Sequence, residues 1–405
     1  MVVLYREPGI AMPFEDRINH NDYAVSYVTK DFARALIPES AAAAVVLEDF
    51  SAAPSAVRDL CECFGIPERI IARNEGDLLM AADLRAEFRI EGEYPEHVLP
   101  FRDKLVMSEA IARAGISIPE FACASDEAAI RGFADLHGFP LIVKPRLGGS
   151  SRGVVRFDSD DGFVALPDLN SQPYLVQRFC PDGVGHVDGV WTGTGLGPWR
   201  ASQYVNSCLD FASGGTRLAS VEIDDRRLIE HLGEFTESVC RTLSKNRPQV
   251  VHLEFFLGRE QNGTLRIQFL EIAARVGGSE IPHLWREVHG YDLLGASLDI
   301  QLGRQPVVAP LCDGCVCGFL VIRPPVPPPC RVVATYFDPR PMNRPEPYAA
   351  TIPENETMIT QSVGYINVGA TFRFRGSSST EVLNSIQRTI SAFRMECEPV
   401  KPFTE

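Results

Sequence analysis

The sequence predicts an α/β protein made of several α+β lobes, and two observations lead to this class. Short apolar runs of strand length, such as residues 140–145, alternate with segments whose apolar residues recur at helical spacing. The longest helical segment starts near Asp225 and carries on one side Leu228, Leu232, Phe235, Val239 and Leu243. A chain of 405 residues, at roughly 150 residues per domain, suits two or three domains.

The first hundred residues combine helix-like stretches at 31–36 and 55–64 with an apolar strand at 43–47, which predicts a small α/β layer. Asp103 is placed to cap the next helix and Gly115 to end it. Four predicted strands come later, at residues 140–145, 154–157, 174–179 and 186–191.

Two further helices have clear boundary signals. Ser125 is placed to open a helix that Gly138 ends. Ser378 and Glu381 form a capping box for the last helix of the chain. That helix follows a β-rich segment with strands predicted within residues 363–374.

The composition is that of a globular protein, with 45% apolar and 23% charged residues. A net charge of -14 argues against nucleic acid or an anionic membrane surface as the main partner, so local positive groups must bind any anionic ligand. The first residues lack the basic start and long apolar run of a signal peptide, and no apolar stretch is long enough to span a bilayer. We therefore expect a soluble, cytoplasmic protein.

Eleven cysteines in a chain without a secretory signal are expected to be reduced, buried side chains rather than a disulfide scaffold. The tightest group is Cys312, Cys315 and Cys317, which has no matching second pair and no histidine at zinc-finger spacing. A metal site there is therefore disfavoured, and Cys61 with Cys63 is a weaker candidate still.

The most informative pattern is a pair of glutamates on either side of Asn262-Gly263, a dipeptide that favours a two-residue hairpin turn. With that turn, Glu254 and Glu271 stand directly opposite each other. Two like charges so placed repel unless a positive group lies between them, and paired carboxylates suit Mg²⁺. The alternative is another turn register, in which Glu271 ends a strand near Arg275.

A second candidate site is the glycine-rich loop 147–154, which follows a strand ending in Lys144. Consecutive amides in such a loop can bind an anion such as phosphate, although a plain hairpin loop is the alternative. The loop leads into a strand, so it is neither a P-loop nor a dinucleotide fingerprint. Lys144 is unusual in an apolar strand, whereas Lys104 on its own is typical of a helix surface.

Arg275 lies four residues beyond Glu271 and is followed by Gly277 and Gly278. An arginine beside a magnesium-phosphate site can stabilise charge on a phosphoryl group during its transfer. A salt bridge from Arg275 to Glu271 or Glu280 is the alternative interpretation, so this residue alone does not decide between the two.

The order of these signals resembles that of the ATP-grasp superfamily. In that family, a lysine in the motif RDK, a strand-end lysine with a glycine loop, a hinge and two late acidic residues follow one another, as they do here. The resemblance implies that ATP is contacted by Lys104 and Lys144. The phosphates would be covered by Gly148, Gly149, Ser150, Ser151 and Gly153, and the adenine hinge would be Gln177, Arg178 and Phe179. It also implies that Mg²⁺, or alternatively Mn²⁺, is bound by Glu254 and Glu271, and that the catalytic residues are Arg275 and Lys144.

Residues 271–303 are most similar to the amino-acid ligase and carnosine synthase branch of that superfamily. This resemblance implies an ATP-grasp core over 101–303, with a small lobe to about residue 178 and a large lobe beyond it. An N-terminal α/β pre-ATP-grasp domain would occupy residues 1–100, and a β-rich domain completing the large lobe would occupy 304–405. The implied reaction joins a carboxylate to an amine through an acyl phosphate, giving an amide, ADP and phosphate.

Two positions depart from the family pattern. The family usually has an asparagine two residues past the second glutamate as an extra metal ligand, and this chain has Ala273. A ribose-binding glutamate is expected shortly before Asp188, where Val184 stands, and Asp182 is the nearest substitute. At this stage the number of metal ions and the ribose contact stay open.

Substrate contacts are predicted for Arg200 and Arg217, which would receive an amino-acid carboxylate as a bidentate pair. The alternative is that both are solvent-exposed loop residues. Further candidates are Gly277, Gly278, His283 and Arg286. The expected partners are small molecules, a carboxylate and an amine, and the resemblance implies a homodimer. Alternative functions are an ATP-grasp carboxylase or nucleotide-pathway ligase, a non-catalytic ATP-binding regulatory module, and an interaction protein.

Overall fold

The computed structural model of the protein describes residues 1–6, 12, 14–312, 314–337, 346–360 and 369–400. These residues form four β-sheets, of four, eight, three and four strands, with helices packed on them. This arrangement confirms the predicted α/β class. Within the same ranges, the longest helices are too short or too polar to cross a membrane.

The N-terminal region is a parallel sheet in the order β3-β2-β1-β4 with helices around it. Its strands are β1 (Val2–Tyr5), β2 (Ser26–Thr29), β3 (Ala43–Val46) and β4 (Ile70–Ala72), and its helices are α1 (Phe14–Arg17), α2 (Ala53–Phe64), α3 (Leu78–Phe88) and α4 (Pro95–Val98). Parallel strands are usually buried on both faces, and all four residues of β1 are buried. The predicted helix at 55–64 and strand at 43–47 are confirmed, and residues 31–36 form a 3₁₀ helix.

A small antiparallel sheet follows in the order β5-β8-β6-β7. Its strands are β5 (Phe121–Ala124), β6 (Leu141–Pro145), β7 (Val155–Phe157) and β8 (Tyr174–Arg178), and its helices are α5 (Lys104–Arg113) and α6 (Glu127–His137). Asp103 caps α5 as predicted, by accepting from the amides of Leu105 and Val106. The cap of α6 is Asp126 rather than the predicted Ser125, because the Asp126 carboxylate accepts from the amide of Ala129 at 2.8 Å.

The largest sheet has the order β13-β12-β9-β10-β11-β14-β18-β16. The strands and helices of this part of the chain are β9 (Gly183–Trp191), β10 (Leu196–Tyr204), β11 (Arg217–Glu222), β12 (Gln249–Arg259), β13 (Leu265–Ala273), β14 (Val316–Ile322), α7 (Cys208–Ala212), α8 (Arg226–Leu243), α9 (Ile281–Glu287) and α10 (Leu293–Gln301). Each face of the sheet has its own core. Val251 packs with α8, whereas its neighbour Val250 packs with α9 and α10. Because strand side chains alternate, His252 and Glu254 lie on the face of α9 and α10.

The C-terminal residues complete this sheet and add a three-stranded one in the order β17-β15-β19. The elements are β15 (Cys330–Phe337), β16 (Ala349–Thr351), β17 (Met358–Ile359), β18 (Ala370–Gly376), α11 (Ser379–Ala392) and β19 (Phe393–Pro399). Ser378 caps α11, while the Glu381 carboxylate accepts from the amide of Ser377 instead of the predicted Ser378. Of the strand segment predicted within 363–374, residues 363–368 lie outside the described residues.

Candidate active site

The β12–β13 hairpin brings Glu254 and Glu271 directly opposite each other, as their spacing predicts. The predicted two-residue turn between them is wrong. The tip is a three-residue loop, residues 261–263, in which the amide of Gly263 donates to the carbonyl of Glu260 at 2.8 Å. Gly263 has φ +84°, the left-handed conformation that such loops place at a glycine.

A β-bulge corrects the register before the glutamates are reached. The register shifts by one residue between the Phe255–Phe269 pair and the Glu254–Glu271 pair, which leaves Leu270 as the extra residue on β13. The longer tip and the bulge are each a deviation of one residue, and they cancel. The two carboxylates therefore meet as predicted, by a different path.

Each of the two facing glutamates has a partner of its own. Lys104 Nζ lies 3.1 Å from Glu271 Oε2, and the Tyr204 hydroxyl donates to Glu254 Oε1 at 3.2 Å. Burial alone would raise the pKa of Glu271, but Lys104 and Lys144 outweigh it and hold that pKa well below its usual range. The hairpin therefore presents ionised Glu271 beside Glu254 on one face of the sheet.

Two lysines connect the hairpin with the small sheet. Lys104 Nζ also donates to the carbonyl of Gly148 at 2.7 Å, so it joins Glu271 to the glycine-rich loop. Lys144 is buried, and its ammonium donates to Gln177 Oε1 at 2.8 Å. Burial lowers the pKa of Lys144 to about 8, against the opposing effect of Glu271. The other polar side-chain atom of Gln177, Nε2, is buried without a hydrogen-bond partner in the described residues, which is uncommon for a buried donor.

The glycine-rich loop connects β6 with β7 in a conformation suited to an anion. Ser150 and Ser151 both have φ +55°, and Gly153 has φ +70°. In a loop built of turns, successive backbone amides can face a common concavity, and here the amides of Arg152 and Val154 already donate to the carbonyls of Gly149 and Ser151. A Cβ on Gly153 would lie 3.0 Å from Pro145 Cγ, so glycine is favoured there by space as well as by conformation.

One cavity of about 930 Å³ joins the loop to the hairpin. Of the predicted site residues, its wall contains Gly148, Gly149, Ser150, Ser151, Gly153, Glu254, Glu271, Arg275, Gly277, Gly278 and His283. The volume is in the range of small-molecule sites. Lys104, Lys144 and Gln177 are outside the wall and support it through the contacts described above.

Arg275 has an acidic partner that the sequence did not indicate. Its Nε donates to Glu75 Oε2 at 2.9 Å, and Arg102 pairs with the other oxygen of the same carboxylate. Burial raises the pKa of Glu75, but Arg275 and Arg102 outweigh it, so the pKa lies below its usual range. Neither alternative partner, Glu271 or Glu280, makes the salt bridge expected with Arg275. A signal for Glu75 was present, because it lies three residues beyond the end of strand β4, and ligands bind outside the carboxyl ends of parallel strands.

A buried chain of hydrogen bonds leads from Ser220 to His252, which lies beside Glu254. His186 Nε2 lies 2.8 Å from the Ser220 hydroxyl, and His186 Nδ1 lies 2.6 Å from Asp188 Oδ2. The other oxygen of Asp188 lies 2.9 Å from His252 Nδ1, and His252 Nε2 lies 3.6 Å from Glu254 Oε1. Burial opposes charge on His252, but Asp188 outweighs it and raises the pKa of His252 to about 9.

The close packing around Gly277 explains why the turn after Arg275 needs a glycine. A Cβ at Gly277 would lie 2.3 Å from Asp188 Oδ1 and 3.0 Å from His252 Nδ1. The turn therefore packs its backbone directly on the Asp188–His252 pair, which connects the position of Arg275 to that of Glu254. Sequence reasoning missed His186, Asp188 and His252 because they come together only through the pairing of β9 with β12.

The cysteines form no disulfide, which agrees with the expected reduced state. Only three are buried, namely Cys240, Cys317 and Cys330, so the expectation that most would be buried is wrong. Cys312 and Cys315 are exposed, and Cys317 instead joins a buried cluster with Glu222 and His289. His289 Nε2 lies 2.5 Å from Glu222 Oε1 and 3.6 Å from Cys317 Sγ. Burial raises the pKa of Cys317 well above its ordinary value, so this thiol stays protonated at neutral pH.

The predicted arginine pair for a substrate carboxylate is wrong. Arg200 lies on β10 beside a separate small cavity, and Arg217 is exposed at the start of β11. The β10–β11 register separates them by about seven residues, or roughly 23 Å. Arg286 is also outside the main cavity, where it donates to Asp292 at 3.1 Å.

The predicted hinge residues have different environments. Gln177 is buried against Lys144, whereas Arg178 is exposed near Glu120, with 3.6 Å between the charged groups. The guanidinium carbon of Arg156 lies 4.1 Å from the centroid of the Phe179 ring. Of the three, Gln177 alone presents a buried polar group with an unused donor.

Comparisons with known proteins agree with this architecture. No family model matches the chain. An L-arginine-specific L-amino acid ligase of Bacillus subtilis is 25% identical over 248 residues, and the aligned region spans 59% of this chain and 59% of that protein. A solved L-amino acid ligase from Bacillus licheniformis has a TM-score of 0.71 at 15% identity and covers 98% of both chains.

A biotin carboxylase domain of the Hydrogenobacter thermophilus 2-oxoglutarate carboxylase, solved with MgADP, ADP and bicarbonate, has a TM-score of 0.65 at 13% identity. It covers 98% of this chain and 90% of that one. These likenesses confirm the ATP-grasp fold and the resemblance to ATP-grasp ligases that the order of motifs indicated.

Proposed function

We propose that this ATP-grasp chain is an ATP-dependent carboxylate-amine ligase acting on an amino acid or another small carboxylic acid. The observation that carries the proposal is the single cavity in which Glu254, Glu271 and Arg275 face the glycine-rich loop. It combines an anion-binding backbone with carboxylates for a cation and an arginine for developing negative charge. The likeness to L-amino acid ligases supports this choice of reaction.

The residues present fit ATP and a divalent cation. The left-handed loop suits phosphates, and the unused amide nitrogen of Gln177 suits an acceptor on the adenine. Glu254 and Glu271 would hold Mg²⁺ or Mn²⁺, because they offer opposed oxygen donors on one sheet face. When bound, the cation neutralises phosphate charge. Because Ala273 stands where the family pattern has an asparagine, β13 offers the cation one ligand fewer than that pattern implies.

In the proposed reaction, an oxygen of the substrate carboxylate attacks the γ-phosphorus of ATP and ADP leaves. The amine then attacks the acyl carbon, an amide bond forms and inorganic phosphate leaves. The chain contributes mainly position and charge. Lys144, Lys104 and the loop amides hold the phosphates, and Arg275 meets the charge of the transferring group. The loop over the cavity would exclude water from the acyl phosphate.

Four further assignments belong to this proposal. The domains would be 1–100, 101–303 and 304–405, a division supported by the separate N-terminal and small sheets. A homodimer and a cytoplasmic location are proposed on the resemblance and on the absence of disulfides among the cysteines. The substrates would be small molecules, in keeping with the net charge of -14.

An amino-acid panel tests the proposal. The full chain is incubated with ATP, Mg²⁺ or Mn²⁺, and pairs of acids and amines, while phosphate release and amide products are measured by enzymatic assay and mass spectrometry. We expect phosphate release that depends on an amine and equals the amide formed. Bicarbonate-dependent release without an amine would instead indicate a carboxylase, and nucleotide binding without turnover on any pair would indicate a regulatory module.

A further inference from the structure

The position opposite Ala273 is occupied by a histidine. In the β12–β13 register, His252 pairs directly with Ala273, just as Glu254 pairs with Glu271. Directly opposed residues share a face of the sheet, so all four side chains lie on the side of the cavity. His252 is itself part of the cavity wall. Where the family pattern has an asparagine oxygen, this chain therefore has an imidazole on the facing strand.

The contact with Asp188 fixes the orientation of the His252 ring. Its Nδ1 lies 2.9 Å from Asp188 Oδ1, and Asp188 is held in turn by His186 at 2.6 Å. With Nδ1 donating to Asp188, Nε2 points toward Glu254 Oε1 at 3.6 Å, which is too long for a good hydrogen bond. The ring has 8% of its side-chain surface exposed, so rotation away from this direction would break a buried contact.

Such an arrangement is the one that metal-binding histidines use. A ligating imidazole almost always donates its second nitrogen to a carboxylate, which fixes the ring, and the other nitrogen binds the ion once the ion has displaced its proton. Two ligands of one ion at roughly 2.1 Å each lie roughly 3 Å apart when at right angles. The separation of 3.6 Å between His252 Nε2 and Glu254 Oε1 is close to this value. The Glu271 carboxylate is not within 4.8 Å of both atoms, so its side chain must move toward them when the ion binds.

We propose that His252, held by Asp188, is the third protein ligand of the divalent cation that Glu254 and Glu271 would bind. It would replace the amide oxygen that Ala273 cannot supply. The inference rests on the proposed function, since the ion is the one expected with ATP. An imidazole in the donor set favours Mn²⁺ relative to Mg²⁺, because Mg²⁺ prefers oxygen ligands alone. The site is thus expected to bind Mn²⁺ more tightly than a site of three oxygen ligands would.

Electron paramagnetic resonance of bound Mn²⁺ tests this directly and does not depend on turnover. The full chain is loaded with Mn²⁺ and a non-hydrolysable ATP analogue, and electron spin echo modulation is recorded. We expect a coupling from a directly bound ¹⁴N nucleus that changes to the ¹⁵N pattern when only the histidines are labelled with ¹⁵N. The coupling should vanish in His252→Asn. It should persist in the control variant His231→Gln, which removes an exposed histidine on α8.

Affinity gives a second measurement. We expect His252→Asn to weaken Mn²⁺ binding by about 10- to 100-fold and to weaken Mg²⁺ binding less, with the thermal unfolding curve as a folding control. Mn²⁺ bound with the nucleotide but showing no histidine coupling in the wild-type chain would overturn the inference and leave the proposed function intact. Absence of any joint binding of metal and nucleotide would overturn both. The wild-type spectrum decides the matter even if His252→Asn does not fold.

Discussion

The two walls of the cavity are built in opposite ways. The hairpin wall, made of His252, Glu254 and Glu271, consists of charged side chains that partners on neighbouring strands and helices hold in place. The loop wall, residues 148–153, consists mainly of backbone, left-handed at Ser150, Ser151 and Gly153, with Lys104 bonded to one of its carbonyls. The difference teaches that charge is fixed on the sheet, where neighbouring strands and helices hold it, whereas the proposed phosphate cover lies on a loop.

The largest effect is expected from the hairpin wall. Glu271→Gln removes one carboxylate and leaves Lys104 without its ionic partner, so we expect turnover to fall by about 100-fold or more. Phosphate release in the presence of acid and amine measures this loss, and circular dichroism should show an intact fold. Glu260→Gln, at the exposed tip of the same hairpin, is the matched control and should keep full activity. Undiminished turnover in Glu271→Gln would contradict the assignment of Glu271.

Lys144→Met is expected to have opposite effects on the stability of the protein and on its affinity for the nucleotide. Removing a buried ammonium should raise the free energy of unfolding of the ligand-free protein at pH 7 by about 2 kcal/mol, while nucleotide affinity falls by about tenfold or more. The folded-state pKa is lowered to about 8 from the ordinary 10.5. The destabilising effect of the charge is therefore complete below pH 8 and disappears as the pH rises to 10.5.

Chemical denaturation of the wild type and of Lys144→Met between pH 8 and pH 10.5 measures the sign of the stability difference. The difference in stability between the two proteins should shrink steadily from pH 8 to pH 10.5. A difference that is constant with pH, or a variant that is less stable at pH 7, would show that the ammonium of Lys144 is fully compensated by Glu271 and Gln177.

Glu75→Gln tests the contact that connects the N-terminal sheet to the hairpin wall. It leaves Arg102 and Arg275 without their shared carboxylate, so we expect a loss of about 2 kcal/mol of unfolding free energy at pH 7. Because the folded-state pKa of Glu75 is lowered from 4.5, its contribution is present above pH 4.5 and is lost as the pH falls through the folded-state pKa. Denaturation curves at several pH values measure this.

The matched control for Glu75 is Glu87→Gln, which breaks the exposed Arg58–Glu87 pair in the same N-terminal region. Such exposed pairs contribute little to stability, so the control should unfold almost as the wild type does. Equal effects from Glu75→Gln and Glu87→Gln would mean that the buried position of Glu75 has no special importance for stability.

The smallest effect is expected from the loop wall. Gly153→Ala places a side chain at φ +70° and 3.0 Å from Pro145 Cγ, which should cost about 1 kcal/mol of stability and weaken nucleotide binding a few-fold. Gly263→Ala at the hairpin tip has φ +84° and no atom within 4 Å of the new Cβ. It should show the backbone cost alone, with unchanged nucleotide affinity in a titration. A larger effect on nucleotide binding at Gly263 than at Gly153 would contradict the role of the loop.

The sequence predicts the local parts of the site well. The glycine-rich loop, Lys144 at its base and the Asp103 cap all depend on residues a few positions apart, and the structure places them as expected. The Glu254–Glu271 pairing is also correct, although the hairpin tip has three residues rather than the predicted two. A turn signal identifies a hairpin but does not reveal a bulge such as that at Leu270, because bulges depend on packing across the sheet.

Contacts between distant segments were not predictable from the same signals. Glu75 meets Arg275 across 200 positions of sequence, and Asp188 meets His252 only because β9 pairs with β12. The expected pairing of Arg200 with Arg217 failed for the same reason, since proximity in sequence says nothing about the register of β10 against β11. The packing of the N-terminal sheet against the hairpin decides the Glu75 contact, and strand order and register in the eight-stranded sheet decide the other two outcomes; no short motif encodes either.

The bulge at Leu270 also makes the hairpin tip a practical attachment point. Because it resets the register between the tip and the glutamates, a change of loop length beyond it need not propagate to Glu254 and Glu271. A fluorophore or an inserted peptide at Asn262, which is exposed, would report on the β12–β13 arm while leaving the spacing of the carboxylates unchanged.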